Sequence, residues 1–88
     1  MLTRTMQIKS PVRLHIRSAY NLVNIASRFD SRIEFTKAGS TYNCKSIVSV
    51  LSSCIGYPDE ITLSVSGEDE EEAMEALEQA MYFCFIEP

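Results

Sequence analysis

Ile61-Thr62-Leu63-Ser64-Val65-Ser66, followed directly by Gly67-Glu68-Asp69-Glu70-Glu71-Glu72-Ala73, is the stretch whose reading decides the fold. Ile61, Leu63 and Val65 alternate with Thr62, Ser64 and Ser66, the period of a strand with one wet face. Past Gly67 the period lengthens, and Ala73, Leu77, Ala80, Met81 and Cys84 form one stripe of a helix. Asp69 is expected to cap that helix, with Glu72 three residues on completing a capping box.

Working outward, the same two periods recur. Leu2, Met6 and Ile8 alternate with Thr3, Thr5 and Gln7 in a first strand, and Arg4 breaks its apolar side, which points to a sheet edge. Ser10 and Pro11 end that strand. From Ile16 to about Phe29 the residues Ile16, Ala19, Leu22, Val23, Ala26 and Phe29 share a helical stripe, with Tyr20 and Ile25 at its margins. Ile33 and Phe35 belong to a second strand, Ala38-Gly39-Ser40 turns the chain, and Thr41 to Cys44 makes a short third strand. Ser46 is placed to cap a short helix to about Ser53, and Gly56-Tyr57-Pro58-Asp59 is a turn. The order is β-α-β-β-α-β-α. Strands wet on one face predict an antiparallel or mixed sheet with every helix on the other.

Length and composition set bounds. At 88 residues, 45% hydrophobic and 23% charged, the chain reads as a single globular domain over 1–88. A net charge of −4 argues against nucleic acid or anionic membrane as a partner. Cys44, Cys54 and Cys84 show neither a disulfide framework nor zinc spacing, which fits a reducing compartment. No apolar run approaches the ~20 residues of a membrane span, and no signal peptide is visible. A cytoplasmic location is expected.

The chemistry gathers at His15, the chain's one histidine, between the first strand and the first helix. The free N–H groups and dipole of a helix start attract an anion. Arg13 and Arg17 add cations within two residues. A neutral imidazole is a good nucleophile near pH 7, so His15 can accept a phosphoryl group. The pattern also fits an ordinary loop histidine.

Leu14-His15-x-Arg17-x-Ala19 resembles the Gly-Leu-His-Ala-Arg-Pro-Ala signature of HPr, the histidine-containing phosphocarrier of the bacterial sugar phosphotransferase system. Lys45-Ser46-Ile47, Asp59-Glu60-Ile61-Thr62 and Gly67 to Ala73 resemble later segments of that family without a gap. The resemblance covers nearly the whole chain. It implies an α+β open-faced sandwich, a four-stranded antiparallel sheet with three helices on one face. It also implies a phosphocarrier rather than a free-standing catalyst. Enzyme I, charged from phosphoenolpyruvate, would phosphorylate His15, Arg17 would clamp the phosphoryl oxygens, and a sugar-specific enzyme II would receive the group. Neither a cofactor nor a metal is implied, and a monomer is expected.

Three residues depart from the signature. Arg13 stands for glycine, Ile16 for alanine and Ser18 for the helix-opening proline. Ser18 is placed to cap the helix instead, shifting its start. The resemblance also makes Ser46 a regulatory position, open to an HPr kinase whose product binds a transcriptional regulator; the plain reading is an N-cap serine. Ile47, Val48, Val50 and Leu51 span about 160° of a helical wheel, wider than a core stripe of ~100°. Ile47, Val48 and Leu51, with Tyr20, are therefore candidates for partner docking as well as for filling a thin core. The acids from Glu68 to Glu72 read as complements of the helix dipole rather than metal ligands. The alternative function is an HPr-like regulatory binding module with weak or no phosphoryl transfer, acting through Ser46 and the docking surface.

Overall fold

A computed structural model describes residues 1–8, 16–56 and 59–82. Seven elements follow in the expected order: β1 (Leu2–Gln7), α1 (Ile16–Ala26), β2 (Arg32–Lys37), β3 (Ser40–Asn43), α2 (Ile47–Ser52), β4 (Glu60–Ser66) and α3 (Glu70–Met81). The strands form one sheet in the order β1-β4-β2-β3, and every pairing is antiparallel.

Alternation sets the two faces of that sheet. On the helix side, Ile61, Leu63 and Val65 of β4 and Ile33 and Phe35 of β2 are buried. Their partners are in register, Ile33 opposite Val65 and Phe35 opposite Leu63. Tyr42, opposite Phe35, stacks on it with ring centroids 5.3 Å apart. On the other face Thr3, Ser64, Glu34 and Asn43 form one cross-strand row, and Thr5, Thr62, Thr36 and Thr41 the next. The hydroxyls of Thr5 and Thr62 lie 3.2 Å apart. Burying each large apolar side chain contributes about 1.5–3 kcal/mol. Such groups occur on one face only, so α1, α2 and α3 share a single layer.

β1 lies at a sheet edge, as its broken apolar face suggested. Arg4 Nε reaches 2.9 Å to Glu78 Oε1 on α3. An inward-pointing charge of this kind also blunts an edge strand against pairing with another chain. The β2–β3 hairpin closes on Ala38 (φ 51°) and Gly39 (φ 84°). Positive φ at both central residues suits the right-handed twist of the strands.

Several boundaries and the cap of α3 differ from expectation. α1 stops at Ala26 rather than near Phe29, and β3 runs over Ser40–Asn43 rather than to Cys44. Met74 joins the predicted α3 stripe as a buried residue. Cys84, the last expected member of that stripe, lies outside the described residues, as do Tyr57 and Pro58 of the predicted turn. The ends of that turn are joined, Asp59 N–H donating to the Gly56 carbonyl at 2.8 Å.

The capping box does not form. Asp69 stands at the N-cap of α3 but makes no side-chain cap bond. Its carboxylate instead accepts from the amides of Asp30 and Ser31, each at 2.9 Å, and from the Ser31 hydroxyl. Glu70, not Glu72, reaches back, accepting from Gly67 N–H at 3.3 Å. Three donors on the α1–β2 connection compete better for Asp69 than one amide of its own helix.

Gly67 is needed where the two connections meet. A Cβ there would lie 2.7 Å from Ser31 Cα, a backbone atom that cannot step aside. Gly67→Ala is expected to destabilise the fold by about 1–3 kcal/mol, measured by urea unfolding. The Ser31 hydroxyl and the Asp30 amide hold the Asp69 carboxyl below its ordinary 3.8. The folded value lies beneath the unfolded one, so this stabilisation is complete above the ordinary range and lost as pH falls through the folded value. Asp69→Asn should therefore lower the urea midpoint at pH 7, with the gap to wild type closing in the acid limb.

Candidate functional site

His15 and Arg13 lie outside the described residues, and the described part of the site begins with the first turn of α1. Arg17 is exposed there. Ser18 does not cap the helix: α1 already runs from Ile16, so Ser18 sits inside the first turn, whereas a cap precedes the first helical residue. Ile16, expected on the core stripe, is 64% exposed. The buried line is Ala19, Leu22 and Ala26. At 100° per residue Ile16 falls about 85° from the centre of that line and Tyr20 about 125°. Tyr20 is accordingly exposed.

α2 packs beside α1. Ser46 is its N-cap, and the Ser46 hydroxyl accepts from Ser49 N–H at 3.2 Å. The Ser49 hydroxyl accepts from Asn43 N–H at 2.9 Å, and the Asn43 side-chain oxygen from Lys45 N–H at 2.9 Å. Lys45 Nζ donates to the Phe29 carbonyl at 2.6 Å, tying the entrance of α2 to the end of α1. The wide apolar arc of α2 divides three ways. Val50 is core, Ile47 and Leu51 are half-buried against the core, and Val48 is 73% exposed. The neighbouring helices thus present Ile16, Tyr20 and Val48 to solvent.

Cys54, just past α2, is exposed and has φ 52°. Cys44 is buried, and burial, with the nearby Glu34 charge, pushes its thiol up to about 12. Among the described residues no group of three or more His, Cys, Asp or Glu is arranged to hold a metal ion. No helix among them is long and apolar enough to cross a membrane. A groove of about 550 Å³ runs between β1 and α3, floored by Leu2 and Met74, and draws no lining residue from α1 or α2.

Lys37, which the sequence motifs do not single out, bonds the carbonyls of Ser53 and Cys54 at the end of α2 and pairs with Asp59. The available signal is positional. Lys37 follows Ile33 and Phe35 at every second place, so a cation occupies an apolar-face position.

The family described as "PTS HPr component phosphorylation site" matches residues 2–82. The chain is 42% identical over 77 residues to the HPr-like protein Crh of Halalkalibacterium halodurans, covering 88% of this chain and 92% of that one. It is 35% identical over 87 residues to the phosphocarrier protein HPr of Treponema pallidum, covering 99% of each. A crystal structure of HPr-C-His from Thermoanaerobacter tengcongensis superposes with a TM-score of 0.88 at 36% identity, covering 100% of this chain and 99% of that one.

The two described thiols should separate chemically, because the thiolate is the reactive form. Brief iodoacetamide treatment of the native protein at pH 8, followed by peptide mapping, is expected to label Cys54 and spare Cys44. Cys44 should react only after unfolding.

Proposed function

The chain belongs to the HPr family of phosphocarriers, and from that membership we propose that His15 carries a phosphoryl group from Enzyme I to a sugar-specific enzyme II of the phosphoenolpyruvate-dependent phosphotransferase system. What supports this reading is the sequence pair His15-x-Arg17, whose Arg17 lies in the first turn of α1, in a chain matched over residues 2–82.

In the transfer, a lone pair of the neutral imidazole attacks phosphorus. The P–N bond to His15 forms as the bond to the donor breaks, and the group then leaves for the acceptor. Arg17, exposed in the first turn of α1, offers a guanidinium whose planar donors match phosphoryl oxygens. Tyr20 and Val48, with Ile47 and Leu51 at the margin of the core, supply an apolar docking surface for Enzyme I and enzyme II. The protein is consumed and regenerated in each cycle, so it acts as an intermediate. We assign this relay to the cytoplasm.

A second reading has its own support. The relative at 42% identity is an HPr-like protein, Crh, and Arg13, Ile16 and Ser18 all depart from the signature that flanks His15 in sequence. On this reading the chain is a regulatory binding module. An HPr kinase modifies Ser46, and the docking surface then engages a transcriptional regulator.

Incubation with Enzyme I and labelled phosphoenolpyruvate separates the two. Relay predicts acid-labile label on the wild type and none on His15→Ala. Arg17→Ala should slow labelling by roughly 10²-fold, the loss typical of one charge-stabilising donor. Absence of label on the wild type, where an ordinary HPr is charged in the same reaction, would leave the regulatory reading.

A further inference from the structure

The groove between β1 and α3 has a lining that neither core packing nor phosphoryl transfer explains. Its floor is Leu2 and Met74, its wall on α3 is Glu71, Glu75 and Glu78, and Arg4 stands on the strand side. Positions 71, 74, 75 and 78 fall on one helical stripe. The helix dipole favours acids in the first turn, which covers Glu70 to Glu72. Glu75 and Glu78 lie beyond it. Arg4 pairs with Glu78 at 2.9 Å, and among the described residues it is the one cation lining the groove. Glu71 and Glu75 take part in no ion pair among those residues. Spaced i, i+4, they repel each other and weaken the helix that carries them.

The strand beside this wall has a free edge: among the described residues β1 pairs with β4 alone. Ile8 N–H donates to the Asp59 carbonyl at 2.8 Å, and an antiparallel ladder bonds at every second residue. With Met6 opposite Ile61 and Arg4 opposite Leu63, the even-numbered residues turn their backbone groups toward β4. Thr3, Thr5 and Gln7 turn theirs outward. A strand laid on that edge would place every second side chain over the groove, on the face of Leu2 and Arg4. The others would lie on the hydroxyl face with Thr3 and Thr5.

We propose that the groove docks an extended basic segment of another protein, added as a strand on β1 with lysine or arginine at every second position. The aliphatic stems of those cations cover Leu2 and Met74, and their charged heads reach Glu71 and Glu75. Backbone bonds at Thr3 and Thr5 supply affinity, and the carboxylates select the partner. Arg4 blunts the same edge against an apolar strand. A second copy of β1 fits poorly, because Leu2 and Met6 flank its single inward cation, Arg4. The groove takes no residue from α1 or α2, so the surface of Tyr20 and Val48 stays open while it is filled.

The test titrates the full chain, ¹⁵N-labelled, with a capped peptide alternating lysine and threonine, and with a counterpart carrying glutamate for lysine. The lysine peptide is expected to bind, less tightly as salt rises. It should slow amide exchange at Thr3 and Thr5 and leave Val48 unchanged. The glutamate peptide should not bind. Joint Glu71→Gln and Glu75→Gln substitution should weaken binding roughly fivefold, the loss expected of two exposed ion pairs. Thr5→Pro removes one outward N–H and no bond to β4, a place where an edge strand accepts proline. It should keep its amide spectrum and lose the peptide. If Thr5→Pro fails to fold, exchange at Thr3 and Thr5 and the glutamine variant still decide. The proposal is overturned if the lysine peptide does not bind, or binds with Thr3 and Thr5 exchange unchanged or with full affinity for the glutamine variant. It is overturned as well if both amides are already protected in the protein alone, since this chain or a second copy then fills the edge.

Discussion

β4 buries Ile61, Leu63 and Val65 completely on one side and leaves Thr62 and Ser64 half-wet on the other. Because β4 is an inner strand, paired with both β1 and β2, this one-sidedness extends across the sheet. Rows of Thr, Ser, Glu and Asn cover the open face, where a second helical layer would find nothing apolar to bury. All three helices must therefore lie together. That places α1 beside α2 and brings the entrance of the first, where Arg17 stands, onto the same layer as Ser46 and Val48.

The connections that return the chain from helix to sheet are held by charged groups from distant elements rather than by local caps. Asp69 supplies a carboxylate to the amides of Asp30 and Ser31. Lys37 and Lys45 supply ammoniums to the carbonyls of Ser53, Cys54 and Phe29. The polarity is consistent: the anion meets N–H donors, and the cations meet carbonyl acceptors. Each contact joins segments well separated in sequence, so each depends on the packing of the helical layer. The apolar face organises the elements, and these polar ties fix their junctions.

At the candidate site the same layer decides what remains outside. α1 spends Ala19, Leu22 and Ala26 on the core and leaves Ile16 and Tyr20 exposed. α2 spends Val50 and half of Ile47 and Leu51, leaving Val48 out. An exposed valine and tyrosine on adjacent helices are consistent with the docking surface proposed above. The departure at Ile16 adds to that exposed surface rather than to the core. It therefore bears on the character of that surface more than on stability.

The order of elements, the wet face of the sheet, the edge position of β1, the Ser46 cap and most of the α3 stripe were legible in the residues themselves. Each is expressed in a period of two or 3.6, or in a hydroxyl next to a helix, and such local signals survive in a linear string. The His15-x-Arg17 pair was legible as a motif, and the family match over residues 2–82 agrees with the family it suggested. Only the tertiary structure decided that Asp69 would leave its own helix for Ser31, that Ser18 would lie within α1, and that Ile16 would face solvent. It alone revealed Lys37 bound to the end of α2. These outcomes depend on which distant donor, acceptor or neighbouring helix arrives within about 3–4 Å. A one-dimensional pattern carries periodicity but not proximity, so a residue's face can be read from the sequence while its partner is settled by packing.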